Sequence, residues 1–193
     1  MTEDPITRFS VWWDEAHAPG LLQEPDAATL ATADAHGQPS ARIVLMRHFD
    51  ARGFVVFTNL QSRKGQEALQ GGHAALCFWW PPLGKQVRVE GKTSVVADAE
   101  ADAYFSTRPR DSQLGAWASL QSTPLPAREA LLSRLEEARA RFSAGDVPRP
   151  GHWSGIRIAP EAIEFWQQGD FRLHHRERYT RIPDGWRKEL LYP

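Results

Sequence analysis

The sequence contains one cysteine, Cys77, among its 193 residues. A single cysteine excludes an intramolecular disulfide, so the fold does not depend on covalent cross-links. Cys77 lies within the apolar run of residues 74–80, where we expect a packed and unreactive thiol. This sparse use of cysteine is typical of a reducing compartment, and we expect the chain to be cytoplasmic.

Long hydrophobic runs and a surplus of positive charge are also missing. No stretch approaches the ~20 apolar residues that a membrane-spanning helix needs, and the N-terminus does not combine a basic start with an apolar core. The 23 basic and 24 acidic residues give a net charge of -1, whereas nucleic-acid and membrane-surface binders need excess positive charge. We therefore expect neither a membrane nor a nucleic acid as partner.

Several catalytic and nucleotide-binding motifs are absent as well. The sequence has no GxGxxG, GxxxxGK[ST], GxSxG or HExxH, so dinucleotide-binding, P-loop, esterase and zinc-protease functions lack their motifs. His174 and His175 are adjacent, but neighbouring residues of a strand point to opposite faces. No set of cysteines or carboxylates with ligand spacing accompanies them, so we expect no metal site.

The residues that are present predict one domain, 1–193, of mainly β structure with helices. An apolar fraction of 41% is enough to bury a sizeable core. After a helix over residues 4–18, alternating apolar runs predict strands at 28–33, from 41 onwards, and at 54–57, 73–80 and 86–96. At least five successive strands with mostly short turns indicate an antiparallel sheet or barrel.

The second half of the chain predicts helices followed by strands. We expect helices at residues 98–108, with Asp98 as the N-cap, at 111–120 and from 126 onwards. In the last of these the apolar residues recur at helical spacing, which predicts packing on the barrel. Strands are expected at 153–158, 162–167, 178–182 and 186–190, where they would complete the first sheet.

The stretch from Arg42 to Lys64 carries the strongest functional signal. Two apolar runs, 43–46 and 54–57, form a predicted hairpin, and Ser62 is a good N-cap for a short polar helix that ends near residues 71–72. Arg63 and Lys64 then fall in the first helical turn, where cations oppose the helix dipole unless an anion is bound. This favours a phosphate site, with a solvated basic helix start as the alternative.

A second group of potential anion ligands surrounds residue 108. Tyr104 and Arg108 lie one helical turn apart and Ser112 follows just beyond, so three donors could converge on a second phosphate. Alternatively, Arg108 pairs with Asp111 at the surface. The polar residues at 121 and 122 could contact a heterocycle or cap a loop.

A third group begins at Trp166 and follows a Gly-Asp turn. Arg172, His174 and Arg176 occupy alternate positions, which would place all three side chains on one face of an extended segment. Three potential cations on one strand face repel each other unless an anion or an electron-rich ring lies opposite. Tryptophan and phenylalanine are abundant enough to provide planar surfaces for an aromatic ligand.

The motifs RIVLMR, FTNLQSRKGQ, YFSTRPRDSQLGAWASLQS and IEFWQQGDFRLHHR, in this order and spacing, closely resemble the pyridoxine/pyridoxamine 5′-phosphate oxidase family from about residue 4 to 193. The resemblance implies a split antiparallel β-barrel with packed helices, in a homodimer that holds FMN at the subunit interface. It also implies oxidation of pyridoxine 5′-phosphate and pyridoxamine 5′-phosphate to pyridoxal 5′-phosphate. Hydride would pass from C4′ to flavin N5, and O2 would reoxidise the flavin and give H2O2.

Carried over position by position, the resemblance implies three sets of site residues. The FMN-binding set is Arg42, Ile43, Val44, Leu45, Met46, Phe57, Thr58, Arg63, Lys64, Gln86, Gln121, Ser122, Trp166 and Arg176. The set for the substrate phosphate is Arg47, Tyr104, Arg108 and Ser112. Arg172 and His174 are implied to contact the substrate ring as catalytic residues.

The sequence departs from the family pattern at a few positions. Arg47 replaces a common lysine, Phe57 a frequent tyrosine and His175 a common acidic residue. The chain also begins close to its first helix, from which we expect less enclosure of the substrate. Two alternatives remain: a split-barrel oxidase of another aromatic substrate, such as those of phenazine biosynthesis, and a non-catalytic carrier of FMN or pyridoxal phosphate.

Overall fold

The computed structural model of the chain describes residues 4–193. Its eight strands are β1 (Ala27–Ala33), β2 (Pro39–Asp50), β3 (Gly53–Asn59), β4 (His73–Trp80), β5 (Lys85–Val95), β6 (Trp153–Gln167), β7 (His175–Ile182) and β8 (Gly185–Leu190). They form one antiparallel sheet in the order β3-β2-β1-β4-β5-β6-β7-β8, and β3 also pairs with β6. That extra pairing closes six strands into a barrel, with β7 and β8 as an extension, and confirms the predicted split β-barrel.

Strand β6 connects the barrel to its extension. The first part of β6 pairs with β3 and the second part with β7. Strand β5 pairs with β6 along almost the whole length of β6. The prediction of two strands, 153–158 and 162–167, is therefore wrong. Pro160 lies opposite Gly91 where the pairing with β5 shifts register, and this bulge accommodates a residue without an N–H group. A Cβ atom at Gly91 would lie 2.0 Å from the carbonyl oxygen of Ala159.

The barrel interior is a continuous apolar core. Leu30, Leu76, Val89, Ile163 and Tyr179 are cross-strand neighbours on five adjacent strands, and all are fully buried. Helix α1 (Pro5–Ala16) packs against this core and contributes a buried phenylalanine to it. As predicted, Asp4 is its N-cap, but the helix ends two residues earlier than expected. No helix within residues 4–193 is long and apolar enough to cross a membrane.

Four further helices complete the fold: α2 (Arg63–Gly71), α3 (Asp98–Ser106), α4 (Arg110–Ala118) and α5 (Arg128–Arg141). Two details differ from the predictions. Ala97, not Asp98, is the N-cap of α3, because Asp98 already has helical geometry. Helix α5 packs mainly on α4 rather than on the barrel, since its small apolar face joins a second cluster that contains Leu114, Ala138 and Trp153.

Candidate active site

A cavity of about 1230 Å³ lies between strands β2 and β3, the first turn of α2, and the segment that joins α3 to α4. Most of the residues implied to bind FMN or the substrate phosphate line it: Arg42, Ile43, Val44, Leu45, Arg47, Phe57, Thr58, Arg63, Lys64, Tyr104, Arg108, Ser112, Gln121 and Ser122. Ligand pockets usually measure ~300–1,000 Å³. The cavity is therefore large enough for more than one small ligand.

The first turn of α2 forms one cationic part of the cavity. Ser62 is the N-cap, as predicted, and its Oγ accepts a hydrogen bond of 3.4 Å from the Gly65 N–H. Lys64 is half-buried beside it, and burial, with a smaller contribution from the neighbouring Arg42 cation, lowers the pKa of the lysine. An anion in this position would remove that penalty and use the free N–H groups of the helix.

A buried carboxylate, which the sequence analysis missed, organises the cations at this end. Glu67 accepts hydrogen bonds from Arg63 Nε and Thr32 Oγ1, each at 2.6 Å, and from Ser40. Burial would raise its pKa, but the bonds from Ser40, Thr32 and Arg63 outweigh that effect and lower it to about 2. Arg42 Nη1 in turn donates to Thr32 Oγ1 at 2.5 Å. The i,i+4 spacing of Arg63 and Glu67 was the available signal.

The second cationic part of the cavity surrounds Arg108. Its guanidinium carbon lies 4.7 Å from the centroid of the Trp153 ring, and its Nη1 is buried with no hydrogen-bond partner among the described residues. Burial lowers the pKa of Arg108, Tyr104 partly opposes this effect, and nearby Arg47 lowers the pKa further. The alternative of a surface pair with Asp111 is wrong, because that carboxylate lies 3.4 Å from Arg139 instead.

Aromatic rings pack around the second cationic part of the cavity, the one that contains Arg108. Phe57, Tyr104 and Trp153 form a parallel stack, with the first two ring centroids 4.0 Å apart and the first and third 5.4 Å apart. Phe57, which replaces a tyrosine that is frequent in the family it resembles, is thus packed against the ring of Tyr104. Trp153 was not singled out in the sequence, although it supports both Tyr104 and Arg108.

The polar loop after α4 also reaches the cavity. Thr58 Oγ1 donates to Gln121 Oε1 at 3.3 Å, and Ser122 adopts a positive φ of 73°. A non-glycine residue in this conformation is uncommon and is often found at functional sites. Met46, by contrast, does not line the cavity, because its side chain is fully buried in the barrel core.

The remaining predicted residues lie elsewhere on the sheet. Gln86, Trp166 and Arg176 are direct cross-strand neighbours on β5, β6 and β7. Arg176 Nε donates to Glu164 Oε1 at 2.9 Å, and its Nη1 donates to the carbonyl of Tyr192 at 2.9 Å. Strand β5 is three strand spacings from β2, or roughly 14 Å along the sheet at ~4.8 Å per spacing. None of the three is among the lining residues of the cavity.

The prediction that Arg172, His174 and Arg176 share one face of an extended segment is wrong. Residues Asp170–Arg172 form a short 3₁₀ turn in which Phe171 and Arg172 have φ values of 54° and 65°, and β7 begins only at His175. His174 packs against Trp166 with 4.4 Å between ring centroids, and its Nδ1 accepts the Gly169 N–H at 3.3 Å. Arg172 is exposed on the same turn.

No group of three His, Cys, Asp or Glu side chains in the described part of the chain has the geometry of a metal site. The half-buried Cys77 has a raised pKa, chiefly because of burial, and this agrees with the expected unreactive thiol. The chemistry available to the cavity is thus the binding of two anionic groups beside a polar loop and an aromatic stack.

Two family models match the chain. The model described as pyridoxamine 5′-phosphate oxidase matches residues 14–142, and the model described as pyridoxine 5′-phosphate oxidase C-terminal dimerisation region matches residues 153–193. Two of the similar curated proteins, each named pyridoxine/pyridoxamine 5′-phosphate oxidase, come from Myxococcus xanthus (strain DK1622) and Mesorhizobium japonicum. They are 53% and 49% identical over 190 and 191 residues, which cover 98% of this chain and 92% and 93% of the relatives.

Solved structures share the fold. The crystal structure of PhzG from Burkholderia lata 383, in complex with tetrahydrophenazine-1-carboxylic acid, matches with a TM-score of 0.93 and 33% identity over 100% of this chain and 94% of that chain. A pyridoxamine 5′-phosphate oxidase-related, FMN-binding protein from Nostoc punctiforme matches with a TM-score of 0.78 over the full length of both chains. At 16% identity, the second likeness shows the fold alone.

Proposed function

The chain belongs to the pyridoxine/pyridoxamine 5′-phosphate oxidase family, and from that premise we propose that it is an FMN-dependent oxidase that converts pyridoxamine 5′-phosphate and pyridoxine 5′-phosphate to pyridoxal 5′-phosphate. The observation that carries this proposal is the presence of two separate cationic groups on the wall of one cavity. Both the cofactor and the substrate have a phosphate, so each group would bind one of them. A chain with a net charge of -1 thus concentrates its binding cations locally.

The residues at the α2 end of the cavity fit the phosphate of FMN. The helix N-terminus supplies N–H donors, and Arg42, Arg63 and Lys64 supply positive charge. The lowered pKa of Lys64 is the physical cost of holding that cation half-buried, and a bound phosphate would offset it. The residues of β2 and β3 that line the cavity, together with Gln121 and Ser122 of the polar loop, would hold the flavin ring.

The residues around Arg108 fit the phosphate of the substrate. Tyr104, Ser112 and Arg47 line the same cavity and offer a phenol, a hydroxyl and a second guanidinium, and Tyr104 and Arg47 are close enough to shift the pKa of Arg108. The unpartnered, buried Nη1 of Arg108 is a donor for which the described residues provide no acceptor. A buried cationic donor of this kind is costly unless a ligand accepts its hydrogen bond.

FMN, when bound, would take up the hydride from substrate C4′ and pass the electrons to O2 to give H2O2. The chain itself would bind and orient the substrate. We assign Arg172 to holding the pyridine ring and His174 to its positioning or to proton transfer. Because His174 Nδ1 accepts the Gly169 N–H, the neutral imidazole carries its proton on Nε2, which is the nitrogen free to donate. For an amine substrate, hydrolysis of the released imine would yield pyridoxal 5′-phosphate and ammonia.

We further propose that the enzyme is a homodimer whose active site combines two chains. Arg176 is on β7, three strand spacings from β2 by way of β3 and β6, or roughly 14 Å along the sheet. Since none of Gln86, Trp166 and Arg176 lines the cavity, one chain does not bring all the implied FMN ligands together. A two-fold symmetric partner would place its own Gln86, Trp166 and Arg176 at this cavity. The matched C-terminal model is described as a dimerisation region, and Phe171 on this part of the chain is 94% exposed.

The likeness to PhzG favours one alternative, an oxidase of a phenazine-type substrate. The ligand named for that structure has a carboxylate and no phosphate. A carboxylate needs fewer donors than a phosphate, so the convergence of Arg47, Tyr104, Arg108 and Ser112 favours a phosphorylated substrate. The second alternative, a non-catalytic carrier, would retain these contacts without consuming oxygen.

The visible absorption spectrum of the purified protein, before and after anaerobic addition of pyridoxine 5′-phosphate, tests the proposal. An oxidised-flavin spectrum that bleaches on addition is the expected result, followed by recovery of the spectrum and H2O2 formation when air is admitted. A flavin spectrum that bleaches only with a tetrahydrophenazine carboxylic acid would move the assignment to the phenazine-type reaction. Flavin that neither substrate reduces would indicate a carrier, and no flavin after reconstitution with FMN would refute the proposal.

A further inference from the structure

Glu67 is the most completely enclosed carboxylate near the cavity, although it is not one of the lining residues. Its side chain is 6% exposed. Both oxygens accept hydrogen bonds: Oε1 from Arg63 Nε at 2.6 Å, and Oε2 from Thr32 Oγ1 at 2.6 Å and from Ser40 Oγ. A carboxylate with this many partners has a defined position and a defined charge.

The two arginines that contact Glu67 can only donate, and the Thr32 and Ser40 hydroxyls accept from Arg42 and donate to the carboxylate, so the arrangement fits an ionised side chain. Arg42 Nη2 adds a further, longer contact of 3.4 Å to Oε2. A protonated carboxyl group or an amide would present a hydrogen atom to at least one of these donors. The pKa of about 2 agrees with a group that stays ionised throughout the neutral range.

The two arginines that contact Glu67 both line the cavity at its α2 end. Two hydroxyl groups also bind Arg42: its Nη1 donates to Thr32 Oγ1 at 2.5 Å, and its Nη2 donates to Ser40. Both of these hydroxyls in turn donate to Glu67. Without the carboxylate, Arg63 would lose its ion pair and keep only the more distant charge of Asp34, and the two hydroxyls that bind Arg42 would lose their acceptor.

We propose that Glu67 is a positioning residue that fixes the guanidinium groups of Arg63 and Arg42 at the α2 end of the cavity and thereby gives the site its preference for a phosphorylated flavin over riboflavin. The inference rests on the proposed function, because it takes FMN as the ligand of this end. Glu67 does not touch the ligand in this scheme. It acts through the orientation of two cations, so its removal weakens the selection for phosphate more than the binding of the flavin ring.

The test compares the dissociation constants of FMN and riboflavin, measured by quenching of flavin fluorescence in the apoprotein. For Glu67→Gln we expect the ratio of the riboflavin constant to the FMN constant to fall about tenfold, the scale of one lost charged hydrogen bond. Riboflavin affinity should stay within about twofold of wild type. A variant that was merely less well folded would instead lose both ligands in parallel.

Asp50→Asn is the matched control. Asp50, at the end of β2, accepts hydrogen bonds from Arg52 and Arg157. Like Glu67 it has a pKa of about 2, but its partners are not lining residues of the cavity. This variant should keep the wild-type ratio. If Glu67→Gln does not fold, Ser40→Ala removes the hydroxyl that links Arg42 to Glu67 and should lower the ratio in the same direction by a smaller factor.

Three results would overturn the inference. An unchanged ratio in both Glu67→Gln and Ser40→Ala would remove the positioning role. A higher ratio would show that Glu67 acts only as a repulsive charge near the phosphate. Wild-type protein that binds neither flavin would refute the proposed function and this inference with it, whereas wild-type preference for FMN that survives both substitutions refutes the inference alone.

Discussion

Arg108 lies over the face of Trp153, with 4.7 Å between the guanidinium carbon and the ring centroid, while its Nη1 is buried without an acceptor in the described structure. The indole ring and the stack behind it support the cation on one side, and the cavity is open on the other. A guanidinium group in this arrangement is oriented before any ligand arrives. Preorganisation of this kind lowers the cost of binding an anion.

Arg108→Ala should raise the KM for pyridoxine 5′-phosphate. Loss of hydrogen bonds from a charged donor costs about 1.5–3 kcal/mol, which corresponds to a factor of about 10 to 150. Retention of FMN should not change, because the α2 end of the cavity is left intact. Steady-state kinetics and the flavin content of the purified variant measure the two effects.

The control is Arg110→Ala, an arginine two residues away that donates to the backbone carbonyls of Phe142 and Gly145 and is not a lining residue. Its KM should remain close to wild type. Equal KM values for wild type and Arg108→Ala would remove the substrate-phosphate role of this residue.

Lys64→Ala should weaken FMN binding about tenfold and leave riboflavin binding almost unchanged. The free protein has a lowered Lys64 pKa, and a bound phosphate favours the charged form and raises it again. Wild-type affinity for FMN should therefore decrease as the pH rises through the lowered pKa, at a pH below 10.5. Titrations between pH 7 and pH 10 should show this decrease in wild type and a flatter profile in Lys64→Ala; identical profiles would exclude the assigned role.

Asp50→Asn should reduce the acid sensitivity of folding. Burial would raise the Asp50 pKa, but hydrogen bonds from Arg52 and the charge of Arg157 outweigh it and lower the pKa from 3.8 to about 2. A carboxylate with a lowered pKa stabilises the fold above its unfolded pKa, and that stability is lost as the pH falls towards about 2. The contribution is about 1–2 kcal/mol after allowance for partial exposure.

Urea unfolding at several pH values checks this prediction. At pH 7 the variant should be less stable than wild type by about that amount, and the difference should shrink between pH 4 and pH 2. A difference that is constant over this range would mean that Asp50 titrates normally in the folded protein.

Arg172→Ala should impair turnover much more than flavin retention. Arg172 is exposed on a turn with two successive positive φ values, apart from the α2 end that is proposed to hold the FMN phosphate. We expect kcat/KM to fall by at least about tenfold with a normal flavin content. Loss of flavin from this variant would contradict the assignment of Arg172 to the substrate ring.

Much of the barrel was predictable because its signals are local. The alternation of apolar residues from His73 to Trp80 gave β4 with the observed bounds, and Ser62 with Arg63 and Lys64 marked the start of α2. Local patterns also marked Arg108 and Gln121 as possible ligand contacts, and the family resemblance assigned them to the same active site as Arg42. That these residues share one cavity with Arg42 is a property of the fold and not of their spacing in the chain.

The wrong predictions have physical causes that the local sequence does not show. Pro160 predicts a break in β6, yet pairing with β5 on one side carries the strand across it through a bulge. The positive φ values of Phe171 and Arg172 were not predictable, because neither residue type favours that conformation. The pair between Arg47 and Asp26 joins residues 21 positions apart and had no periodic signal. The prediction of one domain for residues 1–193 stays a prediction.

The proposed two-chain active site can be tested by mixing two impaired variants and assaying them at a pyridoxine 5′-phosphate concentration well below the wild-type KM. Arg108→Ala alters the cavity, and Arg172→Ala alters the other site region, on the turn before β7. If each active site combines the cavity of one chain with the turn of its partner, a mixed dimer contains one doubly altered site and one fully wild-type site. If one chain supplies both regions, every site in the mixture carries one substitution.

The two variants are mixed in equal amounts under conditions that allow subunit exchange. About half of the dimers are then mixed, and each mixed dimer has one intact site of two, so the mixture should regain about a quarter of wild-type activity. Each variant alone, treated in the same way, is the baseline. A second mixture, of Arg108→Ala with Lys64→Ala, should regain nothing, because both substitutions lie in the same cavity and a mixed dimer then has no intact site. Activity that rises only in the first mixture would establish that the cavity and the Arg172 turn come from different chains, and no rise in either would show that one chain supplies both.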